Sequence, residues 1–171
     1  VQYAGGFLAG DEQFTKYRGR TAWFFPLFWN TVFMVQGRAG YIENRGKLST
    51  YQKFFLGGIN TVRGYDYNTI SPIDPKTGDY IGGEKMMVYN VEYNFPLLTE
   101  QGVTGVVFFD AGNVYASDEI YDITDLYAGA GGGIRWNSPM GPIRLEWGYP
   151  INPDPGMRDT GRWEFGMGGS F

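Results

Sequence analysis

The residues that could do chemistry here are carboxylates, arginines and glycines, because histidine and cysteine are both absent from the 171 residues. That removes the commonest acid–base group, the usual zinc ligands and the thiol nucleophile. Triads and zinc sites of the ordinary kinds are excluded, and no catalytic residue is assigned. Asp118, Glu119, Asp122 and Asp125 offer the hard oxygen ligands that calcium accepts. They lack the Asp-x-Asp-x-Asp-Gly spacing of a calcium loop, so a solvated loop is the simpler reading and no metal site is expected. The glycine-rich run 129–133 has the composition of a phosphate cradle, but no Gly-Lys-Ser/Thr follows it. It reads instead as a strand that bends or admits a close backbone approach, and no cofactor is expected. What remains is charge pairing, for which arginine is well suited because its planar fork grips carboxylates bidentately.

The elements that would position such charges are strands. Residues 162–171 alternate strictly, with Trp163, Phe165, Met167 and Phe171 on one parity and Arg162, Glu164, Gly166, Gly168 and Ser170 on the other. Similar alternation predicts strands over 1–9, 15–26, 31–43, 85–95, 103–115, 127–136 and 142–151, giving eight in all. Glycine at 27 residues and aromatics at 18% favour many bent strands over a helical bundle. The connections alternate between short, Pro- or Gly-bearing turns at 26–30, 96–102 and 137–141 and longer polar loops. Short turns at one end and long loops at the other is the layout of an outer-membrane barrel. The chain begins in strand-like sequence without a leader, so a mature piece with further sequence upstream is expected.

The polar parity collects Arg18, Arg20, Arg38, Glu92, Asp110, Arg135, Arg144, Glu146, Arg162 and Glu164. A face carrying charges of both signs cannot be a dry core. On a soluble sandwich it would face water, with the apolar stripes meeting inside; on a membrane barrel it would line the lumen. The aromatics favour the barrel. Trp23, Phe24, Phe25, Phe28 and Trp29 crowd one turn, with Phe95, Trp136 and Phe171 at the same end. Tyr41, Tyr115, Tyr121, Tyr127 and Tyr149 gather toward the other, as two interfacial belts would. No run of 18 apolar residues is present, so a membrane crossing would be made by strands. The formal net charge of −4 argues against a nucleic-acid partner. The expected fold class is all-β: an antiparallel transmembrane β-barrel with eight strands in this chain.

Residues 44–84 form a stretch of roughly forty residues without a strand pattern, which inside a compact domain is usually functional. Tyr51, Phe54, Phe55, Leu56, Ile59, Val62, Tyr65 and Tyr67 are its candidate anchors. Within it, Gly57-Gly58-Ile59-Asn60-Thr61-Val62-Arg63-Gly64-Tyr65 resembles the VRG[FY] loop motif of the BamA-type family of outer-membrane assembly and translocation barrels (bacterial surface antigens). Val91-Glu92-Tyr93-Asn94-Phe95-Pro96 and Phe108-Phe109-Asp110-Ala111-Gly112-Asn113-Val114 resemble the family's next two strands. Gly131-Gly132-Gly133-Ile134-Arg135-Trp136 and Ser138-Pro139-Met140-Gly141-Pro142-Ile143-Arg144 resemble its penultimate pair. The series runs in order along essentially the whole chain.

The resemblance implies that the loop folds back into the barrel and that Arg63, with Gly64 and Tyr65, meets Glu92 and Asp110 on the inner wall. The bland alternative is an ordinary loop arginine and two hydrated lumen acids. The resemblance also implies that 1–171 is the C-terminal barrel domain, a fragment of a sixteen-stranded barrel that follows periplasmic polypeptide-transport-associated domains. Trp163, Phe165, Met167 and Phe171 resemble the C-terminal strand signal of such barrels. The implied role is insertion of other outer-membrane β-barrel proteins in a Gram-negative outer membrane, with no enzymatic reaction. The implied partners are outer-membrane lipid, unfolded outer-membrane protein substrates and, for a full-length parent, assembly-complex lipoproteins. The alternatives are a self-contained eight-stranded structural or adhesive barrel and a polypeptide-secretion pore. An eight-stranded closure would leave little room for the loop.

Overall fold

A computed structural model describes residues 1–4, 13–46, 48–139 and 141–168. Eight antiparallel strands form one sheet in chain order: β1 (Gln2–Ala4), β2 (Phe14–Pro26), β3 (Val32–Asn44), β4 (Lys85–Leu98), β5 (Val103–Tyr115), β6 (Tyr127–Ser138), β7 (Gly141–Pro150) and β8 (Arg162–Met167). Strictly sequential pairing is what hairpin-joined strands give. Among the described residues the sheet is open, with no pairing of β8 to β1, and the loop occupies its concave face without the crowding of an eight-stranded closure.

Register places the charges. Asn90 of β4 lies opposite Asp110 of β5, which lies opposite Gly129 of β6, which lies opposite Pro150 of β7. Four residues further along the same face, Gly133, Glu146 and Glu164 are neighbours across β6, β7 and β8. Because side chains alternate with period two, all of these project from one face. That face is the buried one: Asp110 is 0% exposed, Glu146 1% and Glu92 6%. The other face carries Trp23, Tyr89, Phe109, Trp147, Trp163, Phe165 and Met167, all exposed. Charge inside and large apolar side chains outside inverts a soluble sandwich and suits a sheet bathed in lipid.

Two aromatic expectations need correction. Tyr115 is buried rather than part of a belt, because residues 116–126 fold back against it. Its hydroxyl donates to Asp122 O at 2.5 Å, and Tyr121 packs edge-on at 5.9 Å. Tyr51 and Tyr67 are exposed and do not anchor the long loop. At the opposite end Trp23, Trp29 and Trp136 are exposed, and Trp136 Nε1 donates to Gln101 O at 2.9 Å. Phe171 lies outside the described residues.

Candidate functional site: the docked loop and its ion cluster

The segment between β3 and β4 is held by isolated bridges, not by strands. A single turn of 3₁₀ helix at Thr50–Gln52 leads to the bridges Phe54↔Gly83, Leu56↔Ile70 and Ile73↔Tyr80. Phe54, Leu56, Val62, Tyr65 and Ile70 are buried with Phe14 and Ile42 of the neighbouring strands and Val88 and Val114 of β4 and β5. Apolar burial thus seats the loop on a face that is otherwise charged. Ile70, which stands alone in a polar stretch, was not legible as an anchor.

The tip of the loop is Arg63-Gly64-Tyr65. Gly64 has φ 96°, and a Cβ there would lie 2.9 Å from the Tyr149 carbonyl carbon and 3.0 Å from that of Gly148. Only glycine fits both the backbone conformation and the approach. Across from it, a Cβ on Gly129 would overlap the carbonyl oxygen of Arg63. The glycine-rich strand is thus a recess for the loop backbone. Tyr65 is 1% exposed, stacks edge-on against Tyr127 at 5.7 Å and donates to Ala128 O at 3.1 Å. Burial pushes its phenol up to about 12.

Arg63 is 3% exposed and lies at the middle of the cluster. Its Nε donates to Asp110 Oδ2 at 2.6 Å and its Nη2 to Asp110 Oδ1 at 2.7 Å, a bidentate pair. Its backbone N–H adds a third contact to Asp110 Oδ2 at 3.1 Å. Nη1 reaches Glu92 Oε1 and Glu146 Oε2, both at 2.8 Å. The guanidinium lies 3.5 Å above the Phe108 ring. Burial alone would favour the neutral arginine, but the Asp110 hydrogen bonds and the three carboxylates outweigh it and raise the pKa further.

Sequence reasoning paired Arg63 with Glu92 and Asp110, and the structure brings all three together with Arg135, Glu146, Glu164 and Asn90. Arg135 of β6 grips Glu92 through Nη1 and Nη2, both at 2.8 Å, and reaches Glu146 through Nε at 2.8 Å. Glu92 is therefore shared, and Glu146 bridges the two arginines. Glu164 of β8 accepts from the Gly64 N–H at 3.1 Å. Asn90 donates to Asp110 Oδ1 at 2.7 Å and to Thr61 O at 2.8 Å. Arg135, Glu146 and Glu164 all lie on the polar parity, which was the available signal; the shear that makes them neighbours was not. Among the described residues no group of His, Cys, Asp or Glu is arranged to hold a metal ion. The arrangement is an electrostatic clamp that ties one loop to β4, β5, β7 and β8. Trp163, Phe165 and Met167 lie apart from it, on the outer face of β8.

Comparison with known proteins agrees with this architecture. The Omp85 superfamily domain matches residues 1–171. An outer membrane protein assembly factor BamA from Nitratidesulfovibrio vulgaris is 36% identical over 99% of this chain and 22% of its own length. A second, from Neisseria meningitidis, is 28% identical over 87% of this chain and 23% of its own. The chain thus spans about a fifth of the length of these relatives. The crystal structure of BamA from Haemophilus ducreyi lacking POTRA domains 1–3 superposes with a TM-score of 0.77, at 22% identity, over 91% of this chain and 35% of the other. The eight strands are therefore a fragment of a larger barrel, and the chain belongs to the Omp85 superfamily.

Proposed function

We propose that this chain is the C-terminal barrel domain of an outer-membrane assembly factor that folds and inserts other β-barrel proteins. It resides in the outer membrane of a Gram-negative bacterium, with its apolar face in lipid. The observation that carries this reading is the loop 44–84 clamped by Arg63 into the concave face of a sheet whose convex face is apolar. An adhesive barrel would present its longest loop outward, and an open pore would not fill its lumen with one. Arg63, Gly64 and Tyr65 hold the loop against Glu92 and Asp110, and this fixes the curvature of β4 to β8. Trp163, Phe165 and Met167 of β8 form the terminal-strand signal with Phe171.

Unfolded outer-membrane proteins are the substrates, and assembly-complex lipoproteins are partners of the full-length parent. No bond is made or broken; catalysis is templating, in which a free strand edge offers unpaired N–H and C=O groups to an incoming strand. The test is reconstitution of the full-length protein in liposomes with an unfolded model barrel protein, following its insertion by protease protection. Insertion faster than in protein-free liposomes is expected, and Arg63→Ala should slow it. Rates equal to empty liposomes would refute the reading. The 171-residue fragment alone should be inactive.

A further inference from the structure

We infer a second site on the concave face: an arginine-lined cavity beside the loop tip that binds a small oxyanion of the phosphate or carboxylate class. The cavity measures about 190 Å³, and Arg20, Arg38, Arg63, Arg135 and Arg144 line it with Glu92 as the one acid among its lining residues. A single water needs roughly 10–15 Å³ of such space, so the cavity has room for a tetrahedral oxyanion and some solvent.

The arginines divide into two sets. Arg63 and Arg135 are held by Glu92, Asp110 and Glu146. Arg20 and Arg38 are held by neutral amides: Arg20 Nε donates to Gln36 Oε1 at 2.6 Å, and Arg38 Nη2 to Asn90 Oδ1 at 2.9 Å. No ion pair found among the described residues involves Arg18, Arg20 or Arg38. Arg20 and Arg38 thus stand on the cavity wall without a carboxylate partner among the described residues, and an anionic acceptor in the cavity would supply one. Arg144 stands on the wall with Nη2 on Asn60 Oδ1 at 2.6 Å.

Further along β2, Lys16 and Arg18 lie over the Phe54 ring at 4.4 and 5.7 Å, on the same side of the strand as Arg20. The β2–β3 wall is thus a run of cations, while β4 to β8 carry the acids. A lumen wall of one sign beside a balanced one focuses an anion toward the boundary between them, which is where the cavity lies. This site does not depend on insertion activity, and anion binding is read separately from it.

The test uses the full-length protein in detergent at constant ionic strength, titrated calorimetrically with inorganic phosphate and, separately, with acetate. Saturable binding of one equivalent of at least one anion is expected, weakened about tenfold or more by R38Q and by R20Q. Arg20 is exposed, so R20Q keeps the test valid if R38Q does not fold. K76Q, in the exposed 74–79 turn, should leave binding unchanged. Absence of saturable binding by both anions, or binding that survives both arginine substitutions, would overturn the inference.

Discussion

Replacing Arg63 by alanine removes the guanidinium at the middle of the cluster, and the geometry sets where the loss falls. Glu92 and Glu146 keep Arg135 at 2.8 Å. Asp110 loses both guanidinium contacts and keeps only neutral donors, the residue-63 backbone N–H at 3.1 Å and Asn90 Nδ2 at 2.7 Å, with no exposed surface. The uncompensated charge is therefore Asp110. Deleting one partner of a buried pair costs about 3–5 kcal/mol, against less than about 1 for an exposed pair. The strand ladder is untouched, so the expected response is opening of 44–84, not loss of the sheet. At about 1.4 kcal/mol per factor of ten, the open population rises about a hundred- to several-thousand-fold. Limited proteolysis of the full-length protein in lipid reads this directly, provided cleavage is slow relative to reclosing. Arg63→Lys should fall between, because a point charge cannot reproduce the fork on Asp110. Arg63→Met combined with Asp110→Asn should recover much of the loss, since no buried charge is then left alone. If Arg63→Ala leaves cleavage within about threefold of wild type, or the double variant is no better than the single, the reasoning fails.

Gly129→Ala should expose the loop to protease much as Arg63→Ala does, because its Cβ would overlap the Arg63 carbonyl, whereas Gly19→Ala meets nothing within 4 Å and should be silent. Tyr65 has its phenol raised by burial from 10.0 to about 12, so the neutral form is the one the folded loop holds. Its contribution is intact below about pH 10 and is lost as the pH rises from there through 12; loop protection measured against pH should fall in that window, and less steeply in Tyr65→Phe. Trp23, Trp29 and Trp136 should be quenched by brominated lipids labelled near the headgroups more than by those labelled mid-chain; strong mid-bilayer quenching would remove the turn-end belt.

Strand positions were legible because each of the long strands keeps one parity apolar over many residues. Their ends were less so. β4 runs on to Leu98 through Pro96, where the pairing shifts by a bulge, although a proline with no N–H to give reads as a stop. β3 begins at Val32 because Thr31 turns back, its N–H and hydroxyl both on Phe28 O. Polar parity put Glu92 and Asp110 on the inner face, but the choice of Arg63 as their partner came from the motif, since nothing local links residues 47 apart. Glu146, 83 residues from Arg63, was invisible as a partner for the same reason. The loop's anchors were only partly readable: Phe54, Leu56, Val62 and Tyr65 are buried, while Tyr51 and Tyr67 are not. Aromatic type does not tell which ring meets a wall when no periodicity fixes the direction.

The clamp also orders assembly of the chain itself. Arg63 is joined to carboxylates 47 and 83 residues downstream, and the Gly64 N–H to one 100 residues downstream. Contacts of such separation form only after the intervening strands have paired, because each closes a large loop of chain first. Until β4, β5, β6 and β7 have paired in order, Arg63 has no complete set of acceptors and the loop has no reason to leave water. Docking of 44–84 is thus a late event, and it registers that five successive strands have paired in frame. A one-residue slip anywhere from β4 to β8 would turn an acid outward into lipid and leave the arginine short of a partner. The interior ion cluster is in this sense a checksum on the strand order of the wall around it.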